Sequence, residues 1–223
     1  GLGDVYKRQE VCDVRALRYD GHRLTGDSGE KIDMIYRRAV TSDVLAHYEE
    51  STALLQAARD GAVLLVGDFH TQIVHNKELF RVLHLPRTLQ MLDETQRAYI
   101  EAHVPYTAEF GAEHLEQVLE DKDRWILKPT DSYGSRGVYA GVEYDTDRWA
   151  EIVRSVPHTG YLLQAFHTPY VTENYGLNGD VFGLNRYYNL TGIYTYDGVA
   201  QGVYSRVSLT PIISSQYSEK TLP

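Results

Sequence analysis

Residues 125–141 read WILKPTDSYGSRGVYAG. Trp125, Ile126 and Leu127 open an apolar strand and Lys128 closes it, and a charge in such a place is costly to bury unless an opposite charge meets it. Ser132, Gly134, Ser135 and Gly137 then supply a turn whose backbone N–H groups can approach phosphate oxygens closely, with Arg136 adding charge. Val138 to Gly141 returns as a second strand, so the unit is a predicted hairpin with an overlong polar turn. It is not a Walker loop, because its Lys precedes the glycines and no helix opening with Gly-Lys-Ser/Thr follows; nor is it GxGxxG. Two readings stay open from this stretch alone: a surface hairpin with a snorkelling Lys, or an anion-binding lid.

Working outward, an Asp20-Gly21 pair between two alternating runs predicts a β-hairpin. KIDMIYRR, residues 31–38, predicts a strand. Thr41, Ser42 and Asp43 offer caps for a helix with Val44, Tyr48, Leu55 and Ala58 on its apolar face, ending at Gly61. AVLLVG, residues 62–67, predicts a buried strand, and the strand–helix–strand order predicts parallel pairing. Helices are predicted at 76–83, from about 88 to 103 until Pro105 stops it, around 116–119, and at 147–156. A strand is predicted at 161–166. Residues 171–209, with Gly, Asn and Asp between Tyr, Val and Ile runs, predict an antiparallel meander.

Composition narrows the function. Of the 223 residues, 43% are apolar and 24% charged, an ordinary globular balance that excludes a wholly disordered chain. The net charge of −9 argues against a broad nucleic-acid footprint, which needs clustered Lys and Arg. The longest apolar run, Ala62 to Val66, falls far short of the ~20 residues that cross a bilayer. No membrane partner and a cytoplasmic location are therefore expected. Cys12 stands alone, which excludes an internal disulfide and thiolate metal sites. The 18 Tyr against 5 Phe read as amphipathic strand residues rather than a base-stacking platform. The chain opens with Gly, and residues 1–9 share no periodicity with the strand-like segment after them; they read as a foreign or truncated leader.

Three further segments qualify the hairpin. VHNKELFRVL, residues 74–83, places Lys77 in a first helical turn, where an anion is favoured, although such a Lys is most often solvated. YLLQAF, residues 161–166, carries Gln164 near the end of a buried strand, where an adenine edge could be read or a core amide simply satisfied. GVYSRVS, residues 202–208, sets Arg206 among apolar neighbours, and an Arg buried there needs a carboxylate or phosphate.

With KIDMIYRR, VHNKELFRVL, WILKPTDSYGSRGV, YLLQAF and GVYSRVS in that order, the sequence resembles the circularly permuted ATP-grasp ligases, and among them the glutathionylspermidine synthase family. The resemblance spans nearly all of residues 11–215. It implies an α+β fold in which two lobes with mixed and antiparallel sheets grip a nucleotide cleft. Residues 10–84 would form a core lobe, 85–158 a lid lobe with the glycine-rich loop, and 159–223 the β-rich remainder of the core lobe. It also implies a carboxylate–amine ligase that uses ATP and Mg2+ to make an acyl phosphate, which an amine then attacks. By motif, Lys77 and Lys128 would hold the phosphates and residues 132–137, with Ser132, Gly134, Ser135, Arg136 and Gly137, would fold over them. Gln164 and Phe166 would flank the adenine. Arg206 would stabilise the transferred phosphoryl group as the catalytic residue, while Arg37 and Arg38 orient the carboxylate.

There are departures. Ala165 stands where the family often has Glu after the Gln. The family's magnesium ligands lie in Arg-x-Asp and Glu-x-Asn segments without a convincing copy here, since the adjacent Glu173 and Asn174 would face opposite ways on a strand. The metal ligands are expected in a missing N-terminal part, and the fragment alone is expected to be inactive. A non-catalytic ATP-grasp-like module or scaffold is the alternative. A His-based hydrolase ranks below both, because His70 and His75 flank TQIV without HExxH-like spacing. The carboxylate could belong to a small molecule or a peptide, and the acidic chain could attract a polyamine as the amine.

Overall fold

The computed structural model describes residues 9–178, 180–214 and 220–222. The proposed leader therefore lies, apart from Gln9, outside the described residues. The chain folds as two units, Gly1–His75 and Asn76–Pro223.

In the first unit, β1 (Arg18–Tyr19) and β2 (Leu24–Thr25) form the hairpin expected at Asp20-Gly21. Gly21 takes a φ of +94°, and the Asp20 carboxylate accepts from the His22 and Arg23 amides to hold the turn. Next come β3 (Met34–Tyr36), α1 (Thr41–Ala46), α2 (Thr52–Arg59) and β4 (Leu64–Val66). β3 and β4 pair in parallel, Met34 opposite Leu64, as the strand–helix–strand order predicts. The single expected helix is two, separated by a 3-10 turn at Glu49–Ser51. That break resets the helical phase, so Leu54 and Ala57 reach the core with Leu17, Leu24 and Val63, while Tyr48 stays exposed. Nor does a side chain cap α1: Val40 holds the N-cap position, and Thr41, Ser42 and Asp43 lie inside the first turn. α3 (Gln72–His75) closes the unit.

The second unit starts with α4 (Glu78–Leu83), α5 (Pro86–Met91) and α6 (Glu94–His103). The helix predicted from about 88 to 103 is interrupted because Asp93 starts a new one: its carboxylate accepts from the Gln96 amide, and Gln96 Oε1 accepts from the Asp93 amide. β5 (Thr107–Glu109), α7 (Leu115–Glu120), β6 (Trp125–Pro129), β7 (Tyr139–Ala140), α8 (Thr146–Ser155) and β8 (Tyr161–Ala165) follow. The strands form an antiparallel sheet in the order β5-β8-β6-β7. Trp149 of α8 is fully buried against Phe110, Val118, Leu127, Val153 and Leu163, and its indole donates to the Val118 carbonyl at 2.9 Å. Leu127 and Leu163 are the sequence neighbours of Lys128 and Gln164, so this core sets the strands that carry those side chains.

The expected meander is β9 (Tyr170–Asn178), β10 (Val181–Tyr196) and β11 (Val199–Ser208), joined by β12 (Lys220–Leu222) in the order β12-β11-β10-β9. The architecture is α+β, with one parallel pair among antiparallel strands. No helix among the described residues is long and apolar enough to cross a membrane.

Candidate functional site

The central site in the second unit is a cavity of about 390 Å³ bounded by Ile126, Lys128, Gln164, Phe166, the 132–135 turn, Lys77 and Pro211–Ile213. That volume falls within the ~300–1,000 Å³ typical of small-molecule pockets. One wall is apolar: Ile126, Val138, Ala140 and Ile212 form a buried cluster with Phe166 packed against it.

The polar side is built by a chain of hydrogen bonds. The Thr107 hydroxyl donates to the Pro105 carbonyl at 2.9 Å, which leaves its oxygen to accept from the Gln164 amide nitrogen, also at 2.9 Å. The Gln164 amide oxygen is thereby turned toward Lys128, whose Nζ donates to it at 2.7 Å. The antiparallel register puts these groups within reach, with Thr107 opposite Gln164 on one side and Lys128 opposite Leu162 on the other. The Gln164 amide is therefore bonded at both ends, within a residue only 6% exposed.

Lys77 reaches the same cavity from the start of α4, and its Nζ donates to the Ser132 carbonyl at 2.7 Å. Its backbone amide donates to the Thr130 carbonyl, which ties the helix start to the turn. Each lysine donates to a neutral oxygen, and the Asp131 carboxylate acts on Lys77. Burial pushes the Lys128 ammonium down to about 8, and the nearby Lys77 charge pushes the same way. Burial also lowers Lys77, opposed by the Asp131 carboxylate.

The turn itself needs unusual backbone. Gly134, Ser135 and Gly137 have φ of +62°, +57° and +70°, the left-handed region that costs an L-residue ~1–2 kcal/mol. The Ser132 hydroxyl donates to the Arg136 carbonyl, and the Ser214 hydroxyl donates to that of Gly134, which pins the turn to the chain after the meander. Arg136 is exposed, its guanidinium 5.0 Å from the Tyr133 ring. A Cβ at Gly137 would lie 2.7 Å from the Tyr161 hydroxyl. Gly137→Ala is therefore expected to destabilise by at least ~1–2 kcal/mol, with partial recovery in Gly137→Ala/Tyr161→Phe, read by denaturant unfolding.

Arg206 departs from its expected burial. It lies on β11 beside the buried Val207 but is itself exposed. Its guanidinium stands 5.2 Å from the Tyr204 ring, and it is not among the described residues bounding the cavity. In the first unit, Arg37 bonds the Gly67 and Ala39 carbonyls and lies 4.7 Å over Phe69, while Arg38 is exposed. The His70 ring nitrogen pairs with Asp68, whose carboxylate also caps the turn beginning at Phe69. No group of three His, Cys, Asp or Glu among the described residues could hold a metal ion.

Sequence reasoning missed Thr107, Glu143 and Pro211–Ile213. The half-buried Glu143 accepts from the Ile212 amide at 3.3 Å and so fixes the apolar wall; burial raises its carboxyl. The available signal was a Pro-Ile-Ile run that follows the end of β11 after two intervening residues.

No family model and no curated protein matches the chain. Among solved structures, D-alanyl-alanine synthetase A from Vibrio cholerae is similar over 92% of this chain and 71% of its own, at 11% identity and a TM-score of 0.37. A likeness of that size carries no functional argument, and the cavity has to supply it.

Proposed function

We propose that the second unit binds ATP in this cavity and serves as the nucleotide-binding part of an ATP-dependent carboxylate–amine ligase. The observation that carries the reading is the pair of lysines on one apolar-walled cavity, each donating to a neutral oxygen. Two cations that repel each other in a poorly solvated site are relieved by a polyanion. A triphosphate brings that charge, and its base suits the wall of Ile126, Val138 and Phe166.

In this reading Lys77 and Lys128 hold the phosphates and Gln164 positions Lys128 rather than reading the base. The turn carrying Ser132, Gly134, Ser135, Arg136 and Gly137 folds over the phosphates. Phe166 packs on the base. The sequence resemblance to glutathionylspermidine synthases supports an acyl-phosphate route, with a small-molecule or peptide carboxylate and an amine as substrates. A divalent ion brought in with the nucleotide would neutralise charge on the phosphoryl oxygens. The described residues do not fit such an ion by themselves. The exposure of Arg206 favours a second reading, a nucleotide-binding module without catalysis. Arg206→Ala in an intact parent protein separates the two: a fall in ATP-dependent turnover with unchanged nucleotide affinity supports the ligase.

Calorimetric titration with ATP tests the site. Lys128→Ala removes a charge-assisted contact of ~1.5–3 kcal/mol and is expected to weaken binding about tenfold to a hundredfold. Lys128 binds a polyanion as an ammonium, and that form is lost as pH rises through about 8 in the free site. Wild-type affinity is therefore expected to fall between pH 7 and pH 9, and the Lys128→Ala profile to be flatter. An undiminished affinity in the variant would remove Lys128 from the site.

A further inference from the structure

Lys128 is placed to do more than hold an anion. Its Nζ lies on a cavity wall with Ile126, Val138 and Phe166, and donates one hydrogen bond to an amide oxygen fixed by Thr107. The charged groups acting at this end are Lys77, from the start of α4, and Asp131, from the turn, whose influence falls on Lys77. A neutral lysine amine in an apolar setting beside a second cation is the arrangement that activates lysine toward carbonyl carbon. Lys77 sits on the same cavity as a ready seat for an anion.

We propose that Lys128 forms imines with phosphate-bearing aldehydes, Lys77 seating the phosphate, and that such aldehydes occupy the cavity reversibly. The neutral Nζ gives its lone pair to the aldehyde carbon. The two amine hydrogens leave with the carbonyl oxygen as water, and a carbon–nitrogen double bond remains; no oxidant or reductant is needed. A proton taken up by the imine restores an N–H for the Gln164 oxygen. This chemistry uses the cavity of the nucleotide site but requires no nucleotide, so the two readings fail separately.

The test treats the whole chain with pyridoxal 5′-phosphate at pH 7.4, traps imines with borohydride, and measures the rate at each of the six lysines by peptide mass spectrometry. Pyridoxal without phosphate runs in parallel. An amine at about 8 rather than the usual ~10.4 has a neutral fraction greater by about two orders of magnitude. Lys128 is therefore expected to label about a hundredfold faster than the exposed Lys31. Lys128→Arg, which keeps the charge, should lose this fast phase, and Lys77→Met should abolish the advantage of the phosphorylated aldehyde. Label spread evenly over the lysines would overturn the proposal, and a phosphate preference retained in Lys77→Met would overturn the role of Lys77. Preincubation with ATP should slow the labelling of Lys128. Fast labelling indifferent to ATP would sustain the imine chemistry and count against the nucleotide reading.

Discussion

A chain carrying Lys77→Ala and Lys128→Ala together is expected to lose ATP affinity by a hundredfold or more. Each lysine supplies a charge-assisted contact of ~1.5–3 kcal/mol, and every ~1.4 kcal/mol is tenfold. The two effects are not independent, because the Lys77 charge helps hold the Lys128 ammonium down. Removing Lys77 alone lets Lys128 keep its proton more readily and offsets part of the loss. Lys77→Ala is therefore expected to cost less than its own contact, and the double variant more than the sum of the singles. A calorimetric double-mutant cycle reads this coupling directly, with circular dichroism showing that each variant folds. Strict additivity would mean the two amines do not share one anion.

Trp149→Ala is expected to carry the largest stability effect, a loss of ~3–5 kcal/mol for a fully buried aromatic. The substitution also leaves the Val118 carbonyl without its indole donor. Trp149→Phe loses that bond but keeps most of the volume, so it is expected to fall between wild type and Ala. Since Trp149 packs against Leu127 and Leu163, the neighbours of Lys128 and Gln164, a loosened α8 should weaken ATP binding without touching the cavity. Denaturant unfolding beside titration at low temperature checks both effects. A Trp149→Ala chain as stable as wild type would mean the packing around α8 contributes little.

Much of the second unit was legible in the sequence. The strand ending in Lys128, the polar turn and the returning strand at Tyr139–Ala140 lie where the 125–141 stretch places them. The meander was equally readable, because strand alternation and turn residues are local signals. Helix division was harder: the break at Glu49–Ser51 and the cap at Asp93 both interrupt patterns that look continuous, although Asp93 and Gln96 form a capping box with a sequence signature of its own. Arg206 was misjudged for another reason. An apolar neighbour such as Val207 says which face it occupies itself, not that the adjacent residue shares its burial.

The sequence by itself determined most of the strands, the polar turn rich in small residues between Lys128 and Val138, and a lysine near the end of an apolar strand. It did so because backbone propensity and the period of side-chain burial act between near neighbours. Only the tertiary structure decided that Lys77, Lys128, Gln164 and Ile212 bound one cavity, and that Gln164 is held by Thr107 rather than left free. Those groups are separated along the chain and meet through strand register and core packing. Burial, and with it the lowered proton affinity of Lys128, is a property of that meeting rather than of any residue alone.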